Sequence, residues 1–107
     1  MAKYVTFYGG PMAAGHNVKD TPAGETPEAL VAKIMEQFPA HRARLDRFAA
    51  EGKLLMVGTF ADPAADGAMG IWRSKQDAEE FMAEDPFLLH GLVRSWRLIE
   101  WDETQVP

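Results

Sequence analysis

The hydrophobic pattern of the 107-residue chain changes period several times, and each change marks a predicted element. Four apolar or aromatic runs have strand length and end near Gly, Pro or Asp, which predicts four β-strands. These runs cover residues 3–8, 53–60, 68–72 and 93–101. Residues 12–25 contain Gly and Pro and show no period, so we expect them to form a loop.

Apolar residues at helical spacing predict helices between the first and second strands and between the third and fourth. Thr26 is a predicted N-cap before Pro27, and the apolar stripe that follows predicts a helix up to Phe38. Because proline lacks the N–H donor of a helical turn, we expect this helix to end or kink at Pro39, with a second helix over residues 40–51. A shorter stripe after the third strand predicts a further helix.

The order strand, helices, strand, strand, helix, strand is typical of the α+β ferredoxin-like fold, the split βαβ arrangement. Two right-handed crossovers would place the helices on one face of a four-stranded antiparallel sheet. Simple alternation makes both faces of the strands apolar, since Ile99 and Trp101 oppose Trp96 and Leu98 in the last strand. In the second strand it separates Leu54, Met56 and Phe60 from Leu55 and Val57.

The sheet face without helices is therefore expected to meet an apolar partner, because a solvated face would carry polar residues. One candidate is the same face of a second copy, which gives a homodimer with a dimeric α/β barrel through sheet–sheet packing. The other candidate is a ligand cavity, and the two are compatible.

Composition narrows the class of partner. The chain has 11 Lys and Arg against 16 Asp and Glu, a net charge of −5, and no basic stripe, which argues against nucleic acid or anionic lipid. The lack of cysteine excludes disulfides, thiolate nucleophiles and iron–sulfur clusters, and no segment has the length and apolarity of a membrane span. We expect a single cytoplasmic domain over residues 1–107 that binds a second copy, a small molecule, or both.

Familiar motifs for cofactor chemistry are missing from the sequence. It contains no nucleotide-binding glycine loop, zinc-protease helix motif or serine-nucleophile elbow. His16, His41 and His90 are too far apart along the chain to form a local metal clamp. We therefore expect neither a metal nor a cofactor.

His41 and Asp85 are the two candidates for chemistry, and each has two interpretations. His41 shares a helical stripe with Leu45 and Phe48, so it is either a histidine packed against the core or a neutral imidazole placed as a general base. Asp85 is either the N-cap of a short turn that begins at Pro86, or the partner of a histidine, since an acid at the end of the preceding helix opposes its dipole. Neither residue alone indicates catalysis.

Three segments in this order resemble the YCII-related proteins. They are residues 39–58, which begin PAHRARL and end AEGKLLMVG, residues 67–71, which read GAMGI, and residues 83–93, which contain AEDPF and GLV. The likeness extends over about residues 40–101 and the first strand. It implies a ferredoxin-like fold that dimerises through its sheets, and a His–Asp dyad in a cleft, formed here by His41 and Asp85.

A relative in that family acts as a cofactor-free dehydrochlorinase on a chlorinated hydroxyquinol. The resemblance therefore implies a small cofactor-free enzyme that uses the dyad for lyase- or isomerase-type proton abstraction from a small cyclic or aromatic substrate. Tyr8, Gly58, Phe60 and Trp72 are the expected substrate-binding residues, although the three aromatic side chains are also expected in the core.

Two alternatives stay open beside this expectation. The first is a non-catalytic dimeric domain that binds a small ligand or serves as an accessory module, and the second is a cofactor-independent monooxygenase, for which fold analogy is the only reason. A loop-plus-helix insert at residues 10–38, longer than in short family members, is expected near the cleft, so the substrate is not carried over. His16, inside this insert, is expected to be a solvated loop residue.

Overall fold

The computed structural model of the chain describes residues 2–9, 27–93 and 95–104. The predicted loop over residues 12–25, with His16, lies outside these ranges. In chain order the elements are β1 (Ala2–Gly9), α1 (Pro27–Ala50), β2 (Leu54–Thr59), α2 (Pro63–Asp66), β3 (Ala68–Trp72), α3 (Lys75–Ala83), α4 (Pro86–Leu89) and β4 (Ser95–Asp102).

The four strands form one antiparallel sheet in the order β2-β3-β1-β4. The helices pack on one face of this sheet, which confirms the predicted α+β ferredoxin-like fold. β1 is rich in aromatic and β-branched residues, which favour strands, and it occupies a central position, paired with β3 on one side and with β4 on the other. Tyr4, for example, lies opposite Trp72 in β3 and opposite Glu100 in β4.

The core lies between the sheet and the helices and is largely aromatic. Phe48, Trp72 and Phe81 are 0%, 2% and 1% exposed. The Phe48 ring meets the other two nearly edge-on, with centroids 6.0 and 5.3 Å away. Each such pair adds about 0.5–1.5 kcal/mol beyond the burial of its area. The indole Nε1 of Trp72 donates to Oγ1 of Thr6 at 2.9 Å, so this large side chain is held without an unpaired polar atom.

The predicted end of the helix at Pro39 is wrong, because α1 continues through that residue to Ala50 as one helix. A proline inside a helix forgoes one N–H bond and costs about 3 kcal/mol or more. The second half of α1 offsets this cost by packing Leu45 and the fully buried Phe48 against the core.

The simple alternation predicted for β2 is also wrong. Leu54 lies opposite Trp72 and Val57 lies opposite Gly70, so both occupy the helix-covered face although they are three residues apart. A β-bulge between Leu54 and Met56 supplies the extra residue and turns Met56 to the opposite face.

The face of the sheet opposite the helices has an apolar centre, as predicted, and it also carries Lys3 and Arg97. Val5 lies at its centre and pairs with Ile71 on one side and Ile99 on the other. At its margins Met56 and Trp101 are 66% and 44% exposed. We call this surface, formed by Val5, Met56, Ile71, Ile99 and Trp101, the outer face.

Candidate functional site

His41 and Asp85 are brought into direct contact although they are 44 residues apart. Nδ1 of His41 lies 2.7 Å from Oδ1 of Asp85. The side chains are 12% and 0% exposed, so the carboxylate is sealed from solvent and the imidazole is nearly so. A buried carboxylate needs a hydrogen-bond partner, and the histidine supplies one from α1.

Asp85 is fixed by the start of α4. It is the N-cap, followed by proline at the first helical position, and its Oδ1 also accepts a hydrogen bond from the backbone N–H of Phe87 at 3.1 Å. Both interpretations of Asp85 from the sequence therefore hold together, because one oxygen caps a helix and meets a histidine.

The His41 ring is held by aromatic contacts as well as by the carboxylate. It stacks on the Phe87 ring, with centroids 3.8 Å apart and planes 2° from parallel, and it meets Phe81 edge-on at 6.1 Å. In the neutral ring, a proton on Nδ1 is donated to Asp85 and leaves Nε2 with a lone pair. The arrangement can present a base of fixed orientation.

His41 lines a partly open cleft between α1, α3 and the sheet. The space between the lining atoms is about 300 Å³, with the open solvent at the mouth included. The lining is mostly apolar and consists of Thr6, Tyr8, His41, Leu45, Val57, Ala68, Met69, Gly70, Trp72 and Phe81. Gly70 packs closely against Thr6 on the neighbouring strand, since a Cβ there would lie 3.0 Å from Oγ1 of that residue.

Tyr8 brings a hydroxyl to the same place. The pKa of this phenol is raised above its ordinary value, first because burial disfavours the phenolate and then because Asp85 repels a second negative charge. Arg44 opposes the shift in part. Tyr8 therefore remains a neutral O–H group at the edge of the cleft throughout the physiological range.

Arg44, which the sequence reasoning did not single out, fastens α1 to the end of α3. Its Nη2 donates to the carbonyl of Glu80 at 2.8 Å and its Nε to the carbonyl of Phe81 at 3.2 Å. These carbonyls lie in the last turn of α3, where a cation also complements the helix dipole. The sequence did contain a sign of this position, because Arg44 follows His41 by three residues and so lies on the same face of the helix.

A comparison with protein families now identifies the chain. The model of the YCII-related domain matches residues 17–102. This chain belongs to the YCII-related family. The match covers most of the sequence and includes both His41 and Asp85.

Solved structures share the fold of this YCII-related domain. One is 5-chloro-2-hydroxyhydroquinone dehydrochlorinase from Burkholderia phenoliruptrix in complex with 2,5-dihydroxybenzoquinone, at 19% identity and a TM-score of 0.61, with 95% of each chain covered. Another is an antibiotic biosynthesis monooxygenase, at 16% identity and a TM-score of 0.50, with 98% of this chain and 100% of that chain covered. Among curated proteins, no sequence matches this chain.

The remaining residues singled out from the sequence fall in two groups in the YCII-related domain. Tyr8 and Trp72 line the cleft, and Trp72 also belongs to the core. Gly58 and Phe60 lie at the exposed end of β2 and just beyond it, outside the cleft lining. Phe87, which stacks on His41, was missed as a site residue because its role depends on the contact between α1 and α4.

Two further properties concern the described residues only. Within residues 2–9, 27–93 and 95–104, no three side chains of the metal-binding types come together at a common point. Over the same ranges, no helix of this YCII-related domain has the length and apolarity to cross a membrane.

Proposed function

We propose that this chain is a small enzyme that abstracts a proton from a small cyclic or aromatic substrate with the His41–Asp85 pair, without a cofactor. The carrying observation is the 2.7 Å contact between the two side chains beside an apolar cleft that His41 lines. A histidine oriented by a buried carboxylate is a suitable general base at neutral pH.

The chemistry needs few groups. Nε2 of His41 accepts a proton from a carbon or hydroxyl of the bound ring, and Asp85 stabilises the imidazolium through the Nδ1–H bond. For a chlorinated hydroquinone, the ring first takes a keto form in which the carbon that bears chlorine has gained a proton; when His41 then removes a hydroxyl proton, the electron pair forms a carbonyl and chloride leaves that carbon. Where there is no leaving group, the ring is reprotonated at another carbon. Loss of chloride, with the proton taken up by His41, is a lyase reaction that removes hydrogen chloride from the substrate. Reprotonation at another carbon is an isomerisation.

A hydroxylated, chlorinated ring is the substrate class that we favour for the first trials. The structurally similar dehydrochlorinase acts on a chlorinated hydroxyhydroquinone and was seen with a dihydroxybenzoquinone. Apolar walls with a few polar groups in the cleft of this chain suit a flat ring that carries hydroxyl substituents.

The proposal includes a homodimer in the cytoplasm. The outer face leaves Met56, Ile99 and Trp101 at 66%, 36% and 44% exposure in one chain, and the same face of a second copy would cover them. A sedimentation experiment at micromolar concentration should give the mass of two chains. A monomer under these conditions would contradict this part of the proposal.

The competing account is a non-catalytic small-ligand domain in which His41 merely satisfies the buried Asp85. His41→Asn separates the two accounts, because the asparagine amide can still donate to Asp85 but cannot act as a base. His90→Asn is a matched control, since His90 is exposed and lies outside the cleft lining.

The test is chloride release from a panel of chlorinated hydroquinones under exclusion of oxygen. We expect turnover by the wild type and by H90N, and a loss of about 10²–10⁴-fold in H41N. Turnover that survives in H41N would defeat the proposal. Turnover that requires oxygen would indicate a monooxygenase instead.

A further inference from the structure

Two buried polar atoms beside the cleft have no hydrogen-bond partner among the described residues: the hydroxyl oxygen of Tyr8 and Oδ2 of Asp85. An unpaired buried polar atom is costly to a fold, so two of them at one site require an explanation. The two atoms are chemically complementary, because a phenol O–H donates and a carboxylate oxygen accepts.

Tyr8 and Asp85 are close enough to influence each other. Besides burial, the charge of Asp85 and hydrogen bonding to its carboxylate raise the pKa of the Tyr8 phenol. The two groups nevertheless stop short of the geometry of a completed hydrogen bond. The phenol hydrogen is free to turn about its C–O bond towards the carboxylate.

The neighbouring polar groups are already engaged. The hydroxyl of Thr6, two residues earlier on the same face of β1, accepts the indole N–H of Trp72. Oδ1 of Asp85 accepts from His41 and from the backbone of Phe87. In the described part of the chain, Oδ2 of Asp85 is therefore the acceptor available to the Tyr8 hydroxyl.

Few other charges surround this group. Arg44 on α1 is the nearby cation, and it lies 3.8 Å from the carboxylate of the exposed Glu84. α4, which packs against α1, has the sequence PFLL and contributes no titratable side chain. The side chains that β2 and β3 contribute to the cleft carry no charge.

We propose that Tyr8 is a positioning residue of the site, whose hydroxyl donates to Oδ2 of Asp85 and so fixes the carboxylate against His41. By sharing the negative charge of Asp85, this bond also limits how strongly the carboxylate stabilises a protonated His41. The catalytic meaning of the assignment rests on the proposed function, but its effect on His41 exists in the free protein.

The test is a titration of His41 by NMR with ¹³C-labelled histidine, in which H41N identifies the signal. In Tyr8→Phe the carboxylate keeps its full charge, so we expect the titration midpoint of His41 to move up by about 0.5–1 pH unit. Tyr4→Phe is the matched control, because Tyr4 is on the same strand and the same face but outside the cleft lining. It should leave the midpoint unchanged.

A second measurement keeps the test valid if Y8F folds poorly. The chain has only two tyrosines, so 3-fluorotyrosine incorporated into the Y4F variant labels Tyr8 alone. Fluorine makes the phenol a stronger donor, and we expect the His41 midpoint to move down instead of up. A midpoint that stays fixed in both experiments overturns the assignment.

The activity readout separates the possible failures. A fall in kcat/KM for Y8F without a change in the His41 midpoint also overturns the assignment, because Tyr8 would then act on the substrate directly. A failure of the proposed function looks different, since turnover would persist in H41N whatever the titrations show.

Discussion

The two members of the dyad should differ sharply in what their loss does to stability. Asp85 is completely buried and relies on His41, whereas His41 is 12% exposed and can remain neutral without a partner. We therefore expect His41→Leu to destabilise the protein far more than Asp85→Asn, although each variant removes one half of the same contact.

The magnitudes follow from the contacts. H41L removes the side-chain donor to Oδ1 of the buried carboxylate, which then keeps the Phe87 N–H and the proposed Tyr8 hydroxyl as donors, and it also removes the ring that stacks on Phe87. The loss should cost about 3–5 kcal/mol. D85N keeps a good N-cap and an acceptor for His41, its amide N–H can donate to the Tyr8 oxygen in place of the proposed bond to Oδ2, and it removes a buried charge. D85N replaces a charged hydrogen bond by a weaker neutral one, but it also removes the cost of burying the carboxylate charge. The net loss of stability should therefore be about 0–1 kcal/mol.

Urea unfolding at pH 7 measures both values. The protomer concentration must be the same for all variants, because a dimer makes apparent stability depend on concentration. The midpoint should fall strongly in H41L and little in D85N, with similar slopes. Equal losses in the two variants, or a larger loss in D85N, would refute the idea that the carboxylate depends on the histidine.

Three further predictions concern neighbouring groups. The raised pKa of Tyr8 keeps this phenol protonated in the native state above pH 10, where the unfolded chain releases the proton. Above pH 10 the free energy of unfolding of the wild type should therefore fall by about 1.4 kcal/mol per pH unit relative to Y8F. A difference between the two proteins that does not change with pH in urea unfolding would contradict this. Thr6→Val should cost about 1–3 kcal/mol, since it removes the acceptor of the buried Trp72 N–H, whereas Thr6→Ser should cost much less. Arg44→Met should lower stability by about 1–2 kcal/mol through loss of two bonds to α3 carbonyls, and a thermal midpoint equal to that of the wild type would count against it.

The sequence predicted the fold because each of the four strands and the helices α1 and α3 carried its own local signal, whereas the short helix α2 was interpreted as a connection. The N-cap role of Asp85 and the helical stripe of His41 were readable from neighbouring residues alone. Their contact was not, since it depends on how α1 and α4 pack across 44 residues, and only the family resemblance brought the two together beforehand.

The errors arose where tertiary packing overrides a local preference. Pro39 is a helix breaker by itself, but the burial of Phe48 stabilises the continuation of α1 to Ala50. The bulge after Leu54 has no clear mark in an apolar run, so alternation gave the wrong face for Met56. The sequence analysis placed Tyr8 in an apolar wall, because a tyrosine in a strand does not show that a carboxylate oxygen, here Oδ2 of Asp85, lies near its hydroxyl.

The central claim is that His41 moves a proton on a bound ring, and hydrogen exchange tests it without a leaving group. Unchlorinated hydroxyhydroquinone is incubated with the protein in D₂O without oxygen, and loss of its ring hydrogen signals is followed by NMR. We predict exchange well above the buffer rate for the wild type and for H90N, and a rate at least about 100-fold lower for H41N. Exchange in H41N as fast as in the wild type would contradict the account.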